Sequence, residues 1–190
     1  MDAPVTIETH GQLVRVSPAE EFHFHLVFSN KTESDTYCIS VWQSLTARRV
    51  AVWQQKKNIP KDSDNWFNEW YPAADVSIKI VCFLTAAYLK SPYCMKEFGI
   101  ALAKGKLLVV CCEPIREIMK VTAREFPHAS NALAYLEGGG QVIFHDSDDV
   151  VEEIMKFIPR EEAAQPEPEP EMAAGGLGLP PSGAAPLPAG

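Results

Sequence analysis

An aromatic side chain and a carboxylate stand four residues apart in the segment Ser91–Phe98, as Tyr93 and Glu97. The segment leads into a helical pattern, and residues four apart lie on one face of a helix. It follows an apolar run, Ile78–Thr85, that is typical of a buried strand. Ligands of open α/β sheets bind beyond the carboxyl ends of the strands. A flat ring beside an acceptor for hydroxyls or for developing positive charge therefore predicts a site for a sugar or nucleotide.

Five short apolar runs predict the strands that position this segment. The runs are Phe22–Phe28, Arg49–Trp53, Ile78–Leu84, Leu107–Cys112 and Gln141–Phe144. Segments with helical spacing alternate with them, and such alternation implies βαβ units and a parallel sheet. We therefore predict an α/β fold with a five-stranded parallel flavodoxin-like sheet, in strand order 2-1-3-4-5, flanked by helices.

Composition divides the chain into three parts. Residues 1–21 are polar and contain several Pro and Gly residues, so we expect an irregular or weakly paired N-terminal extension. Residues 22–160 hold the predicted strands and helices and form the expected domain. Residues 161–190 combine Pro and Glu with Ala and Gly and contain no Lys or Arg. That composition predicts a disordered tail with no activity of its own.

Charge and hydropathy argue against several classes of partner. The formal net charge is -8, and five of the negative charges lie in residues 161–190, which leaves about -3 for the rest. A body without excess positive charge is not expected to bind nucleic acid through bulk electrostatics. No apolar run approaches the roughly 20 residues that span a bilayer. The N-terminus also lacks a basic start followed by an apolar core, so we expect neither a membrane span nor a signal peptide.

The thiols and imidazoles do not suggest disulfides or a metal site. The five cysteines are an odd number, and no Cys-x-x-Cys occurs. Reduced, mostly buried thiols in a cytoplasmic protein are the simplest interpretation. His23 and His25 alternate on the first predicted strand and point to one face, but no third ligand is evident. We expect these histidines to be packed or exposed at an edge rather than bound to metal.

Over roughly residues 22–158 the chain resembles a TIR domain. The first strand, His25–Ser29, is similar to the family's opening strand of the Phe-Ile-Ser-Tyr kind, and Val50–Asp62 resembles its second strand and the long loop after it. Most specific is the sequence Ser-Pro-Tyr-Cys-Met-Lys-Glu over Ser91–Glu97. It resembles the family's Ser-x-Trp-Cys-x-x-Glu, with Tyr93 in place of Trp. The resemblance implies the same five-stranded parallel sheet.

The resemblance also implies an activity. Many TIR domains cleave NAD+ at the nicotinamide–ribose bond, and the glutamate of this motif is their essential residue. Glu97 is given that catalytic role by resemblance. NAD+ is then the substrate, and neither a metal nor a further cofactor is expected. A carboxylate close to the ribose can stabilise the oxocarbenium-like charge that forms when nicotinamide leaves, or can bind the ribose hydroxyls.

Six further residues form the predicted substrate-binding set. They are Tyr93, Phe28, Ser29, Asn30, Lys31 and Trp53. Tyr93, one turn before the glutamate, is expected to pack beside the ribose or nicotinamide. Phe28 and Ser29 end the first strand and form the expected floor of the pocket. Asn30 and Lys31 follow and are expected to face a diphosphate.

Other interpretations stay open at this stage. Glu97 is also compatible with a solvated helix residue that pairs with Lys96 or Lys104. The whole domain is also compatible with a non-catalytic signalling scaffold that acts by association with itself or with other TIR domains. The aromatic pattern from Trp66 to Trp70 is expected to be core or interface. A phosphate receiver is disfavoured, because the first strand ends without the acidic cluster that such a protein needs.

Overall fold

A parallel sheet of five strands crosses the part of the chain that the computed structural model describes, which is residues 5–9, 12–16, 22–29, 34–58, 66–144 and 149–160. Its strands are β3 (Phe22–Phe28), β4 (Val52–Gln54), β5 (Ser77–Leu84), β6 (Leu107–Cys111) and β7 (Val142–Phe144). They lie in the order β4-β3-β5-β6-β7, and every neighbouring pair is parallel. Counted along the sheet's own strands, this is the predicted order 2-1-3-4-5, so the predicted fold class is confirmed.

Helices cover both faces of the sheet. They are α1 (Ser34–Ala47), α2 (Gln55–Asn58), α3 (Trp66–Val76), α4 (Ala86–Leu89), α5 (Pro92–Ala103), α6 (Ile115–Ile118), α7 (Ser130–Glu137) and α8 (Val150–Met155), with a 3-10 turn at Pro127–Ala129 before α7. The core of one face includes residues of α3, α4, α5 and α7, and that of the other includes residues of α1 and α8. No helix within the described ranges is both long and apolar enough to cross a bilayer.

Strand β5 shows why the centre of the sheet is apolar on both sides. Ile80, Cys82 and Leu84 belong to the cluster beneath α5, whereas Val81 and Phe83 belong to the cluster beneath α1 and α8. Successive side chains of a strand point to opposite faces, so a strand covered on both faces needs a continuous apolar run. All five side chains are fully buried. This alternation fixes the register that brings the carboxyl ends of β3 and β5 side by side.

The N-terminal segment is more regular than its sequence suggested. Strands β1 (Val5–Thr9) and β2 (Gln12–Val16) form an antiparallel pair, in register from Val5 opposite Val16 to Thr9 opposite Gln12. Of the two expected forms of the extension, irregular or weakly paired, the irregular one is wrong, because these two segments form a two-stranded antiparallel sheet. The expected tail, residues 161–190, lies outside the described residues.

The second strand of the parallel sheet starts later than predicted. Helix α1 is closed by hydrogen bonds from Arg49 N to Thr46 O at 3.0 Å and from Val50 N to Leu45 O at 3.1 Å. Arg49 has a φ of 65°, in the left-handed region that commonly ends a helix. The first residues of the apolar run therefore form a helix terminus. The strand itself is limited to Val52–Gln54.

The two histidines of the first strand and Trp70 are buried, as expected, whereas Trp53, which was predicted to bind substrate, is buried with them. His25 is fully buried, and its ring centroid lies 4.0 Å from that of Trp53 and 5.0 Å from that of Trp70. Burial lowers the pKa of His25 to about 3, and the Ala73 backbone offsets only part of that shift. His25 is therefore a neutral core residue at physiological pH.

Candidate functional site at the carboxyl ends of the parallel strands

The start of helix α5 is fixed by local sequence. Ser91 is its N-cap, and the Ser91 hydroxyl accepts a hydrogen bond from Cys94 N at 3.3 Å. Pro92 occupies the first helical position, where its missing N–H costs no hydrogen bond. Just upstream, Thr85 caps α4 by accepting a bond from Tyr88 N at 3.0 Å. These two caps fix where α4 and α5 begin, and they thereby fix the position of Tyr93 and Glu97 on α5 relative to the end of β5.

A cavity of about 560 Å³ opens at this point. Its lining residues come from the end of β3, the start of α2, helix α4 and the first turns of α5. They are Phe28, Ser29, Gln55, Ala87, Lys90, Ser91, Pro92, Tyr93, Cys94 and Glu97. The cavity lies beyond the carboxyl ends of β3 and β5, where the strand order of the sheet reverses. Ligands of doubly wound α/β sheets bind at that topological switch point, and the volume suits a small molecule.

Glu97 is the unusual group of this cavity. Its side chain lines the cavity yet is only 5% exposed. Desolvation by burial raises the pKa of Glu97 to about 8, with no opposing charge to lower it. At neutral pH the carboxyl group is therefore mostly protonated in the free protein.

The alternative in which Glu97 pairs with a nearby lysine does not match the contacts. The ammonium of Lys96 lies 3.9 Å from the centroid of the Phe67 ring. The ammonium of Lys104 forms a salt bridge with Asp75 at 2.6 Å. Both lysines therefore have other partners, and among the described residues no salt bridge reaches Glu97. The glutamate is buried and forms no salt bridge within the described parts of the chain, which sets it apart from an ordinary helix-surface acid.

Three buried polar side chains lie within electrostatic range of Glu97. They are Cys82, Tyr88 and Cys94. Burial raises the pKa of Cys94 to about 11, and the charge of Glu97 adds to that shift. The Tyr88 hydroxyl is fully buried, and its pKa is raised for the same two reasons, with a further contribution from Cys82. These three neighbours of Glu97 are thus uncharged at neutral pH, and a thiolate nucleophile at Cys94 is disfavoured.

Tyr93 lies at the opening of the cavity. Its side chain is 68% exposed, in contrast to the buried Glu97 one turn further along α5. A ring at the opening and an acid at the bottom give the cavity an aromatic rim and a polar floor. A planar group that stacks on Tyr93 would place its attached sugar toward Glu97.

The structure brings some of the predicted set together and separates others. Phe28 and Ser29 line the cavity and are 3% and 5% exposed. Trp53 is not among the lining residues, because its ring packs on His25 within the core. Asn30 and Lys31 lie outside the described residues.

Gln55 and Lys90 line the cavity but were not in the predicted set. Gln55 is the first residue after β4, so the rule that sites lie beyond strand ends could have found it. Lys90 precedes the Ser91 cap and carries no periodic or motif signal of its own. Within the described parts of the chain, no group of three or more His, Cys, Asp or Glu residues is arranged to hold a metal ion.

The fold and the site define a flavodoxin-like α/β domain with one buried acid in a cavity at its topological switch point. Residues 26–136, more than half of the chain, match the family model for the TIR domain. The chain therefore belongs to the TIR domain family. No curated protein gives a significant match to this chain.

Proposed function

We propose that this TIR domain cleaves NAD+ at the nicotinamide–ribose bond. The products would be nicotinamide and ADP-ribose, or a cyclic form of ADP-ribose. The observation that carries the proposal is the desolvated carboxyl group of Glu97 at the bottom of a cavity whose rim is the exposed ring of Tyr93. Buried acids with perturbed pKa values in a cleft are typical of functional sites.

The chemistry follows from charge. The nicotinamide ring of NAD+ is a cation, and its approach would lower the pKa of Glu97 and favour the carboxylate. When the bond between the ring nitrogen and ribose C1′ breaks, nicotinamide leaves as a neutral molecule with the bonding electron pair. The positive charge then lies on the ribose, where a carboxylate in a site of low dielectric stabilises it.

Completion of the reaction requires a nucleophile at C1′. Water adds its oxygen to C1′ and releases a proton, which Glu97 or solvent accepts, and the product is ADP-ribose. Attack by a ring nitrogen of the substrate's own adenine would give the cyclic product instead. The access of water to C1′ within the cavity therefore bears on which product forms.

The first test is release of nicotinamide from NAD+ by the purified full chain, measured by chromatography over a range of protein concentrations. Glu97→Gln should abolish release, because it keeps the shape of the side chain but cannot become negative. Glu137→Gln, an exposed position on α7, is the matched control and should leave release unchanged. Release that survives in Glu97→Gln would remove Glu97 from the mechanism. If the unmodified chain releases no nicotinamide at high protein concentration, the proposed activity is contradicted.

A non-catalytic scaffold is the second candidate. The observation in its favour is that large apolar side chains remain exposed on the domain, among them Tyr71, Tyr93 and Phe144. Association with itself or with other TIR domains would cover such side chains. Sedimentation that shows self-association without nicotinamide release would favour this role. Cys82, Cys94, Cys111 and Cys112 are free thiols, which fits the reducing conditions of the cytoplasm, and we propose that compartment as the location of the protein.

A further inference from the structure

A second cavity adjoins the first across Lys90. Its volume is about 430 Å³, and Lys90 belongs to the walls of both cavities. The adjacent residues Ala86 and Ala87 of α4 line the second and the first cavity, respectively. Lys90 is the C-cap of that short helix and is exposed. The lysine therefore stands on the ridge between two cavities that one elongated ligand could occupy together.

The charge of Lys90 is available to such a ligand. Its ammonium lies 5.6 Å from the centroid of the Phe126 ring, and among the described residues it has no carboxylate within salt-bridge distance. Lys120, in the wall of the second cavity only, is different, because it forms a salt bridge with Glu117 at 2.5 Å. A lysine ammonium without a counter-ion, oriented by an aromatic face, is suited to bind a phosphate group.

The walls of the second cavity combine an aromatic ring with carboxylates. Phe126 offers an apolar face on which a base can stack. Glu117 and Glu125 also line the cavity. Glu117 pairs with Lys120 and Glu125 accepts a hydrogen bond from the Thr122 hydroxyl at 3.3 Å, but each carboxylate has further lone pairs that accept hydrogen bonds from hydroxyl groups. Glu113 accepts a bond from Ala86 N at 3.0 Å and is occupied in that way. The cavity therefore suits a neutral nucleoside and disfavours a further anionic group.

We propose that the second cavity binds the adenosine half of the dinucleotide, with Lys90 on the diphosphate between the two halves. This inference rests on the proposed function, since it takes the nicotinamide riboside half to lie against Glu97. Glu117 and Glu125 would repel a phosphate on the adenosine ribose. The protein is therefore specific for NAD+ over NADP+, and the specificity lies outside the cavity in which the bond breaks.

Binding of ADP-ribose to the full chain, measured by calorimetry, tests the role of Lys90 without any need for turnover. Lys90→Met keeps the alkyl stem over Phe126 and removes the charge, so affinity should fall about tenfold or more. Lys156→Met is the matched control and should change affinity less than about twofold, because this exposed lysine pairs with Glu153 and lines neither cavity. In the unmodified chain, ADP-ribose should shift the amide resonances of Val121 and Phe126. Equal affinity in Lys90→Met, or shifts confined to the first cavity, would overturn the inference.

A second measurement addresses specificity. The unmodified chain should bind ADP-ribose more tightly than its 2′-phosphorylated form, and the double variant Glu117→Gln with Glu125→Gln should narrow that preference about tenfold. An unchanged preference would count against the second cavity as the adenosine site. The outcomes that refute this inference differ from those that refute the proposed function. Nicotinamide release with an unaltered KM in Lys90→Met refutes only this inference, whereas binding that depends on Lys90 without any release refutes only the activity.

Discussion

Replacing Glu97 by glutamine should stabilise the protein, and by an amount that depends on pH. The pKa of Glu97 is raised to about 8 in the folded protein from an ordinary value of 4.5. A group whose pKa is raised on folding favours the folded state at low pH and loses that contribution as pH rises through the folded value. For Glu97 the loss begins near pH 4.5 and ends near pH 8.

The magnitude follows from the two pKa values. Within this window the unfolded chain is ionised and the folded protein keeps the proton, so stability falls by about 1.4 kcal/mol per pH unit. From pH 4.5 to pH 7 the accumulated loss is about 3 kcal/mol. Glutamine does not ionise and avoids this loss. Burial of its amide adds a cost, but that cost does not vary with pH.

The assay is urea unfolding at pH 5, 6, 7 and 8, followed by tryptophan fluorescence, since Trp53 and Trp70 are buried. The quantity of interest is the difference in unfolding free energy between Glu97→Gln and the unmodified chain. Groups that titrate alike in both proteins, such as His25, cancel in that difference. It should grow by about 1.4 kcal/mol per pH unit up to pH 8 and then level off.

The exposed position Glu137 provides the control, because Glu137→Gln should differ from the unmodified chain by the same small amount at every pH. If the difference in unfolding free energy between Glu97→Gln and the unmodified chain is also independent of pH, the pKa of Glu97 is not raised by burial. Glu97 is then an ordinary acid.

Four further expectations concern the site and the core. The value of kcat/KM for nicotinamide release should rise about tenfold per pH unit from pH 6 and level off near pH 8, as the free enzyme's Glu97 ionises; a flat profile would contradict a role for its carboxylate. His25 should lower the stability by about 1.4 kcal/mol per unit as pH drops from 6.5 toward 3, because unfolded His25 gains a proton that the folded protein excludes; since Glu97 acts in the opposite direction above pH 4.5, the difference in unfolding free energy between His25→Phe and the unmodified chain should isolate this slope. Arg49→Gly should raise the unfolding free energy by about 0.5–1 kcal/mol, because the φ of 65° costs a glycine little. Gly140→Ala should lower the melting temperature at a cost of about 1–3 kcal/mol, because its Cβ would lie 2.3 Å from the Tyr135 ring; an unchanged value would show that the ring moves aside freely.

Strands β5 and β6 were predictable because they are covered on both faces. Such strands must be apolar at every position, and the runs that contain Ile80 to Leu84 and Leu107 to Cys111 satisfy that requirement. The start of β4 was not predictable from the same signal. Val50 is apolar and buried, but it follows a left-handed residue at the end of α1, and hydrophobic periodicity contains no information on that backbone turn.

The lining of the cavity was predictable from the sequence where a family motif lies at the end of a strand or follows it. Glu97 and Phe28 satisfy that condition, and both line the cavity. Trp53 does not, because it is the middle residue of a three-residue strand and lies opposite His25 in the register of β3 and β4. Its ring therefore packs on the histidine in the core. The place of Lys90 in the site could not be predicted from the sequence. Its position between two cavities depends on how α4 packs, and no local sequence pattern determines that packing.

The effects of Glu97→Gln on stability and on nicotinamide release together indicate why a buried acid is present. A buried carboxyl group lowers stability at neutral pH, and the nearby lysines Lys96 and Lys104 do not relieve this cost, because Lys104 pairs with Asp75 and Lys96 lies over Phe67. If Glu97 acts on a substrate, the glutamine variant should be more stable and should no longer release nicotinamide, a trade-off expected of active-site groups. If the domain is only a scaffold, the variant should be more stable and should associate as before. Stability and nicotinamide release measured on the same preparation therefore distinguish the two functions, because only an enzyme loses an activity as it gains stability.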